Sequence, residues 1–153
     1  KFKTGNYKAI LTFGGAYSNH IAATAAAGKL LGVQTIGVIR GQELSPASND
    51  TLKKAADNGM QLIFVSREEY SWKEEKDYQM QLRSVYGNIL IINEGGFGYY
   101  GMMGCTEIIS ELNETYDYIC VSAGTGTTLA GLAFSKPALT RLITFQALKG
   151  GEF

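Results

Sequence analysis

Apolar residues along this chain fall in short runs, each closed by a turn signal and most followed by a stretch of helical spacing. Ala9 to Phe13 is such a run, closed by Gly14-Gly15 and followed by an Ala-rich stretch from Asn19 to Leu31 that ends at Gly32. The pattern predicts strand, glycine turn, helix. Thr35 to Ile39 predicts a second strand, and Ser48 stands where it could cap a helix from Asn49 to Asn58 that stops at Gly59. Met60 to Val65 is the third run. Ser66 and Glu69 have capping-box spacing and would open one polar helix continuing to Val85, with Trp72 to Tyr78 on its solvated face, before Gly87 and a fourth strand over Ile89 to Ile92.

Beyond that strand the pattern changes. Asn93 to Gly101 is too glycine-rich for regular structure, and helical spacing resumes over Met102 to Leu112. A lobe boundary is expected here, giving a small α/β lobe over residues 1–92 and part of a larger lobe over residues 93–153. Tyr118 to Val121 predicts a fifth strand, Gly124 to Thr128 a turn, Leu129 to Phe134 a short helix and Arg141 to Ala147 a sixth strand. Alternation of strand and helix predicts an α/β fold of parallel sheets with helical crossovers.

Composition narrows the function. Fourteen Lys and Arg balance fourteen Asp and Glu, so the electrostatic footprint of a nucleic-acid or anionic-membrane binder is missing and neither partner is expected. Glycine supplies 19 of 153 residues and proline only 2, where glycine averages ~7%; backbone must approach something closely. The charged fraction of 18% and a first residue Lys1 in place of Met suggest a piece of something larger. Two cysteines and one histidine offer neither a disulfide framework nor a zinc set, which points to a reducing cytoplasm. Cys105 and Cys120 lie in apolar contexts and are expected to be buried thiols. No apolar run approaches the ~18 residues of a membrane span, and Lys1 to Phe13 has no signal-peptide core.

In open parallel sheets, ligands collect beyond the carboxyl ends of the strands. Three segments lie at such ends. Gly124, Thr125, Gly126, Thr127 and Thr128 follow a strand and open a helix, which offers unhindered N–H groups, hydroxyls and a positive dipole end to one anion such as a phosphate. Position six of a dinucleotide fingerprint is Leu129 and no Walker lysine occurs, so a small phosphorylated ligand fits better than a dinucleotide or ATP. The same turn could equally serve only to pack a helix on its strand. At the second end, Ser18 or Asn19 could cap the Ala-rich helix. Alternatively, Ser18 could carry a proton or act as nucleophile, Asn19 donate a hydrogen bond and His20 titrate. The third segment, Glu94 to Gly101, could link two lobes or line a cleft, with Tyr99 and Tyr100 either packing or stacking on a ring.

Taken together, Leu11-Thr12-Phe13-Gly14-Gly15-Ala16-Tyr17-Ser18-Asn19-His20, Asn93-Glu94-Gly95-Gly96 and the Gly124 to Leu132 segment resemble the 1-aminocyclopropane-1-carboxylate deaminase / D-cysteine desulfhydrase family. Those are pyridoxal-phosphate enzymes of the tryptophan synthase β-like fold (fold type II), and the resemblance runs from about residue 7 to Phe153. It implies two lobes with pyridoxal 5'-phosphate between them, Asn19 on the cofactor's ring hydroxyl and Gly124 to Thr128 on its phosphate. Ser18 is implied to face the substrate, His20 to extend that network, and the Ser18-Asn19 turn to lie within one side chain's reach of the phosphate turn. The implied activity is a deaminase or lyase acting on a small amino acid, releasing ammonia and a keto acid, in a homodimer without metal. Thr127 stands where many members have Gly, and Phe97 replaces a small polar residue. The family's catalytic lysine follows Gly-Asn upstream of the Ser-Asn-His turn, but here Gly5-Asn6 is followed by Tyr7, and Lys1, Lys3, Lys8 and Lys149 lie outside that context. The expectation is an incomplete enzyme, inactive as the isolated chain. The alternative is a non-catalytic fragment that only binds a phosphorylated ligand.

Overall fold

The computed structural model describes residues 5–147, so Lys1, Lys3 and Lys149 lie outside the described residues. The chain divides after Glu94 into two compact units.

The first unit is a four-stranded, wholly parallel sheet: β1 (Ala9–Gly14), β2 (Gln34–Arg40), β3 (Gln61–Val65) and β4 (Ile89–Ile92), in the order β3-β2-β1-β4. Helix α1 (Asn19–Leu31) joins β1 to β2, and α2 (Asp50–Asp57) joins β2 to β3. Between β3 and β4 lie α3 (Arg67–Ser71) and α4 (Lys76–Tyr86), separated by a 3-10 turn at Trp72–Glu74. Because alternate residues of a strand face opposite ways, the central strands feed two cores. Leu11, Phe13, Ile36 and Val38 pack with Tyr70, Tyr78 and Leu82. Ile39 and Met60 pack with Ile21 and Ala25 of α1 and with Leu52 and Ala55 of α2.

Asn49, rather than the expected Ser48, caps α2. Its Oδ1 accepts from Leu52 N–H at 2.9 Å, while its Nδ2 donates to the Ala16 carbonyl at 3.0 Å. Ser48 is drawn into the preceding 3-10 turn at Pro46–Ser48, where its Oγ accepts from Ser45 N–H. The single helix expected from Ser66 to Val85 is instead two. Ser66 does cap α3, through Glu69 N–H at 3.0 Å, but the Glu69 carboxylate accepts from the Tyr78 hydroxyl at 2.9 Å and Glu75 takes an extended conformation that breaks the helix. With that break, Tyr70 and Tyr78 both enter the core, at 3% and 7% exposure. Within the Trp72 to Tyr78 stretch, Trp72, Glu74, Glu75, Lys76 and Asp77 are exposed as the solvated-face expectation has it, and only Tyr78 turns into the core.

The second unit holds α5 (Tyr99–Ser110), β5 (Tyr118–Ala123), α6 (Thr127–Ser135) and β6 (Arg141–Gln146), with β5 and β6 pairing in parallel. The glycine-rich segment is more regular than its composition suggests: Glu94–Gly96 makes a 3-10 turn and α5 begins at Tyr99. Gly101 makes this possible, since a Cβ there would collide with the Gly96 carbonyl. Cys105 is half-buried and Cys120 exposed, against the expectation of two buried thiols. Cys120 lies in a two-stranded sheet whose strands are open along much of their length.

Helix α1 ends where Gly32 takes a φ of 64° and Val33 N–H reaches back to the Gly28 carbonyl at 2.8 Å, a Schellman closure. Gly28 itself lies against Thr35, and an added Cβ would come within 2.9 Å of the Val33 carbonyl. Gly28→Ala gains about 1 kcal/mol of helix propensity but overpacks against backbone, a loss of about 1–3 kcal/mol. The expected outcome is a net loss of about 1 kcal/mol, read as a lower urea midpoint at unchanged slope. An equal or higher midpoint would show that the α1–β2 junction is loose.

Candidate active site

The carboxyl end of β1 is shaped by Gly14. A Cβ at this position would come within 2.8 Å of both Cβ and Oγ of Ser18, so only glycine lets the following turn fold back over the strand end. Ser18 N–H donates to the Gly15 carbonyl at 3.1 Å, and Ser18 Oγ accepts from Ile21 N–H at 3.3 Å. Ser18 thus caps α1, and this cap uses the oxygen as acceptor while leaving the hydroxyl proton unspent. Asn19 is exposed. Its side chain makes no hydrogen bond among the described residues, and it stands on the first turn of a helix that carries no acidic residue there.

His20 is half-buried, with Nε2 2.7 Å from Thr12 Oγ1. The Thr12 hydroxyl lies inside the sheet at 0% exposure and donates to the Ile92 carbonyl at 2.8 Å. A hydroxyl has one proton. With that proton given to Ile92, Thr12 accepts from His20, so the neutral imidazole carries its hydrogen on Nε2 and keeps a lone pair on Nδ1. Burial lowers the His20 pKa from the ordinary 6.5, and the Glu94 carboxylate opposes that shift.

Sequence patterning gave no signal for the groups around Glu94. Lys73 Nζ lies 3.6 Å from its carboxylate. Tyr70 is buried with its hydroxyl shut off from solvent and completing no hydrogen bond. Burial first, then the nearby Glu94 carboxylate, pushes the Tyr70 phenol far above its ordinary value of 10. Arg40 and Lys73 stand over the Tyr70 ring at 5.6 and 5.1 Å from its centre.

In the second unit, the turn from β5 into α6 encloses a cavity of about 40 Å³ lined by Ser122 to Leu129. No side chain caps α6. None of the N–H groups from Gly124 to Leu129 donates to a backbone acceptor among the described residues. Gly126 takes a φ of 78°, and a Cβ at Gly124 or Gly126 would meet no atom within 4 Å. The Thr125 and Thr127 hydroxyls lie 3.0 Å apart, and both residues line the cavity. Free donors, a positive helix end and room for one small group suit a single phosphate. Tyr99 and Tyr100 are exposed at 66% and 69% and meet edge to face at 5.6 Å.

Residues 2–145 match the family described as pyridoxal-phosphate dependent enzymes, and the chain belongs to that family. It is 32% identical over 133 residues to the "Putative 1-aminocyclopropane-1-carboxylate deaminase" of Thermotoga maritima, covering 81% of this chain and 41% of that protein. Its fold superposes on a crystal structure of an ACC deaminase homologue with a TM-score of 0.71 at 24% identity, covering 88% of this chain and 42% of the other. It also superposes on maize serine racemase with a TM-score of 0.69 at 22% identity, covering 93% and 42%. The α/β fold of parallel strands and helical crossovers is that of the fold type II, tryptophan synthase β-like enzymes. The family implies pyridoxal 5'-phosphate as the cofactor. The chain spans less than half the length of each of these relatives. Among the described residues, no helix is long and apolar enough to cross a membrane.

The His20 geometry sets a pH dependence. An imidazole with a folded-state pKa below 6.5 binds fewer protons in the folded than in the unfolded chain, so stability rises with pH across that window and falls as the solution is acidified through 6.5. Urea midpoints measured between pH 8 and 5 should decline on the acid side. They should flatten near pH 6 in His20→Gln, which removes the chain's sole imidazole. Parallel profiles for the two proteins would refute the depressed pKa.

Proposed function

We propose that the intact protein is a pyridoxal-phosphate-dependent deaminase or lyase acting on a small amino acid of the 1-aminocyclopropane-1-carboxylate or D-cysteine type, releasing ammonia and a keto acid. The observation that carries this reading is the uncapped turn from Gly124 to Thr128, with free N–H groups and paired hydroxyls, in a chain of this family. In this reading Gly124, Thr125, Gly126, Thr127 and Thr128 hold the cofactor phosphate. Asn19, with an uncommitted amide, bonds the ring hydroxyl. When bound, the cofactor supplies an electron sink for charge developing beside the amino carbon. Ser18 turns its free hydroxyl proton toward the substrate, binding the carboxylate or assisting proton transfer, and His20 extends that network through Nδ1. Residues 1–92 and 93–153 act as parts of two lobes, and the working assembly is a cytoplasmic homodimer.

The lysine that anchors the cofactor covalently is assigned to a part of the intact protein outside this chain, since Asn6 is followed by Tyr7. The 153-residue chain by itself should bind pyridoxal phosphate weakly and reversibly. Addition of pyridoxal phosphate should move the amide resonances of Gly124 and Gly126. Gly124→Ala, whose methyl meets no protein atom within 4 Å, should leave the fold intact yet weaken binding by about tenfold, or roughly 1.4 kcal/mol. Equal affinity in Gly124→Ala would move the phosphate elsewhere. Borohydride treatment followed by peptide mapping should label no lysine in stoichiometric yield; one fully labelled lysine would place the anchoring residue inside this chain.

A further inference from the structure

Two cations stand over the Tyr70 ring, and only one of them has an acid. Lys73 lies 3.6 Å from the Glu94 carboxylate. Arg40, with its guanidinium carbon 5.6 Å from the ring centre, makes neither a hydrogen bond nor an ion pair among the described residues. The ring beneath it is fixed: Tyr70 is buried and meets Phe13 edge to face at 6.4 Å. An arginine held over a rigid aromatic ring keeps its donors free and loses little further freedom when they are used.

Strand register brings that guanidinium to the turn that carries Ser18. Gly14 pairs with Ile39, so Arg40, next along β2, stands level with Gly15. A Cβ added to Gly14 would meet Ser18. One added to Gly15 would meet, beyond its chain neighbours, only Arg40, whose Nη2 would lie 3.7 Å away. The missing side chain at Gly15 therefore leaves open space in front of an exposed and unpaired guanidinium. Ser18 with its unspent hydroxyl proton and Asn19 with its uncommitted amide stand at the same strand end.

A guanidinium presents two parallel N–H donors that match a carboxylate in both shape and charge. We propose that Arg40 is a specificity-determining residue: its guanidinium receives the carboxylate of the amino-acid substrate over Gly15. This rests on the deaminase or lyase reading and deepens it. Of the two roles open to Ser18, Arg40 takes carboxylate binding and leaves proton transfer. The substrate class is thereby an amino acid with a free carboxylate, to the exclusion of its amides and esters.

The 153-residue chain, labelled for nitrogen resonances, tests the contact without cofactor or activity. Titration with 1-aminocyclopropane-1-carboxylate should move the Arg40 Nε–H resonance and the Gly15 amide saturably. The corresponding carboxamide, which keeps the amine and the ring but has no anion, should move neither. Equal responses to acid and amide, or no response to the acid, overturn the proposal in the unaltered chain, whatever a variant does. Arg40→Gln should weaken binding of the acid by about tenfold, and Arg40→Lys should restore only part of it; unchanged affinity in Arg40→Gln overturns the proposal equally. In the intact, cofactor-loaded protein, Arg40→Gln should raise KM far more than it lowers kcat, whereas Ser18→Ala should act chiefly on kcat. Turnover with an unchanged KM in Arg40→Gln refutes only the role of Arg40. No turnover of any small amino acid, with the acid-selective response retained, refutes only the deaminase or lyase reading.

Discussion

A single proton on a buried hydroxyl organises the first unit's site. Thr12 lies at the centre of β1 with neighbouring strands on both sides, and it has one hydrogen to give. Giving it to the Ile92 carbonyl ties the interior of β1 to the far end of β4 across 80 residues of sequence. That commitment forces His20 to be the donor in the other contact, which fixes the ring's tautomer and holds the first turn of α1 to the sheet. Ser18 and Asn19 stand immediately before the anchored histidine. Their placement follows from the same bond, and a hydrophobic residue at position 12 would pack as well but would leave the ring free to turn.

The two glycine turns solve different problems. At the end of β1 the backbone groups are satisfied locally: Ser18 Oγ accepts from Ile21 N–H, and Asn49 reaches from the start of α2 to donate to the Ala16 carbonyl. Side chains are what remain available there. At the end of β5 no cap is provided, and the backbone itself is presented to a ligand. Both turns read alike as strand-end glycines, yet one displays side chains and the other displays peptide groups.

Strand and helix order was legible because each apolar run is short and closed by a turn residue, and the bounds of α1 and β4 fall where the pattern puts them. What misled was competition between equivalent polar residues. Ser48 and Asn49 are both good caps, and the choice went to the side chain that could also reach Ala16, a contact between segments 33 residues apart. The break between α3 and α4 was invisible for a similar reason. It exists so that two tyrosines can reach one core, and the polar residues between them satisfy a helical pattern equally well. The motif residues Ser18, Asn19 and His20 could be singled out, since they cluster in sequence. Glu94 fell within the glycine-rich segment the pattern marked, but Tyr70 and Lys73 could not be singled out, because only the pairing of β4 into the sheet brings Glu94 to Lys73.

The strand order β3-β2-β1-β4 also dictates an order of assembly. As the chain leaves the ribosome, β1, β2 and β3 can pair in succession with their crossover helices, each new contact closing a loop of modest length. The outer edge of β1 stays unpaired until residues 89–92 have emerged, and closing that longer loop carries a greater entropic cost. Until then Thr12 has no carbonyl to bond. The histidine and its turn are therefore among the last parts of the unit to take their final form, and an interrupted chain ending before β4 would leave an aggregation-prone strand edge where the site should be.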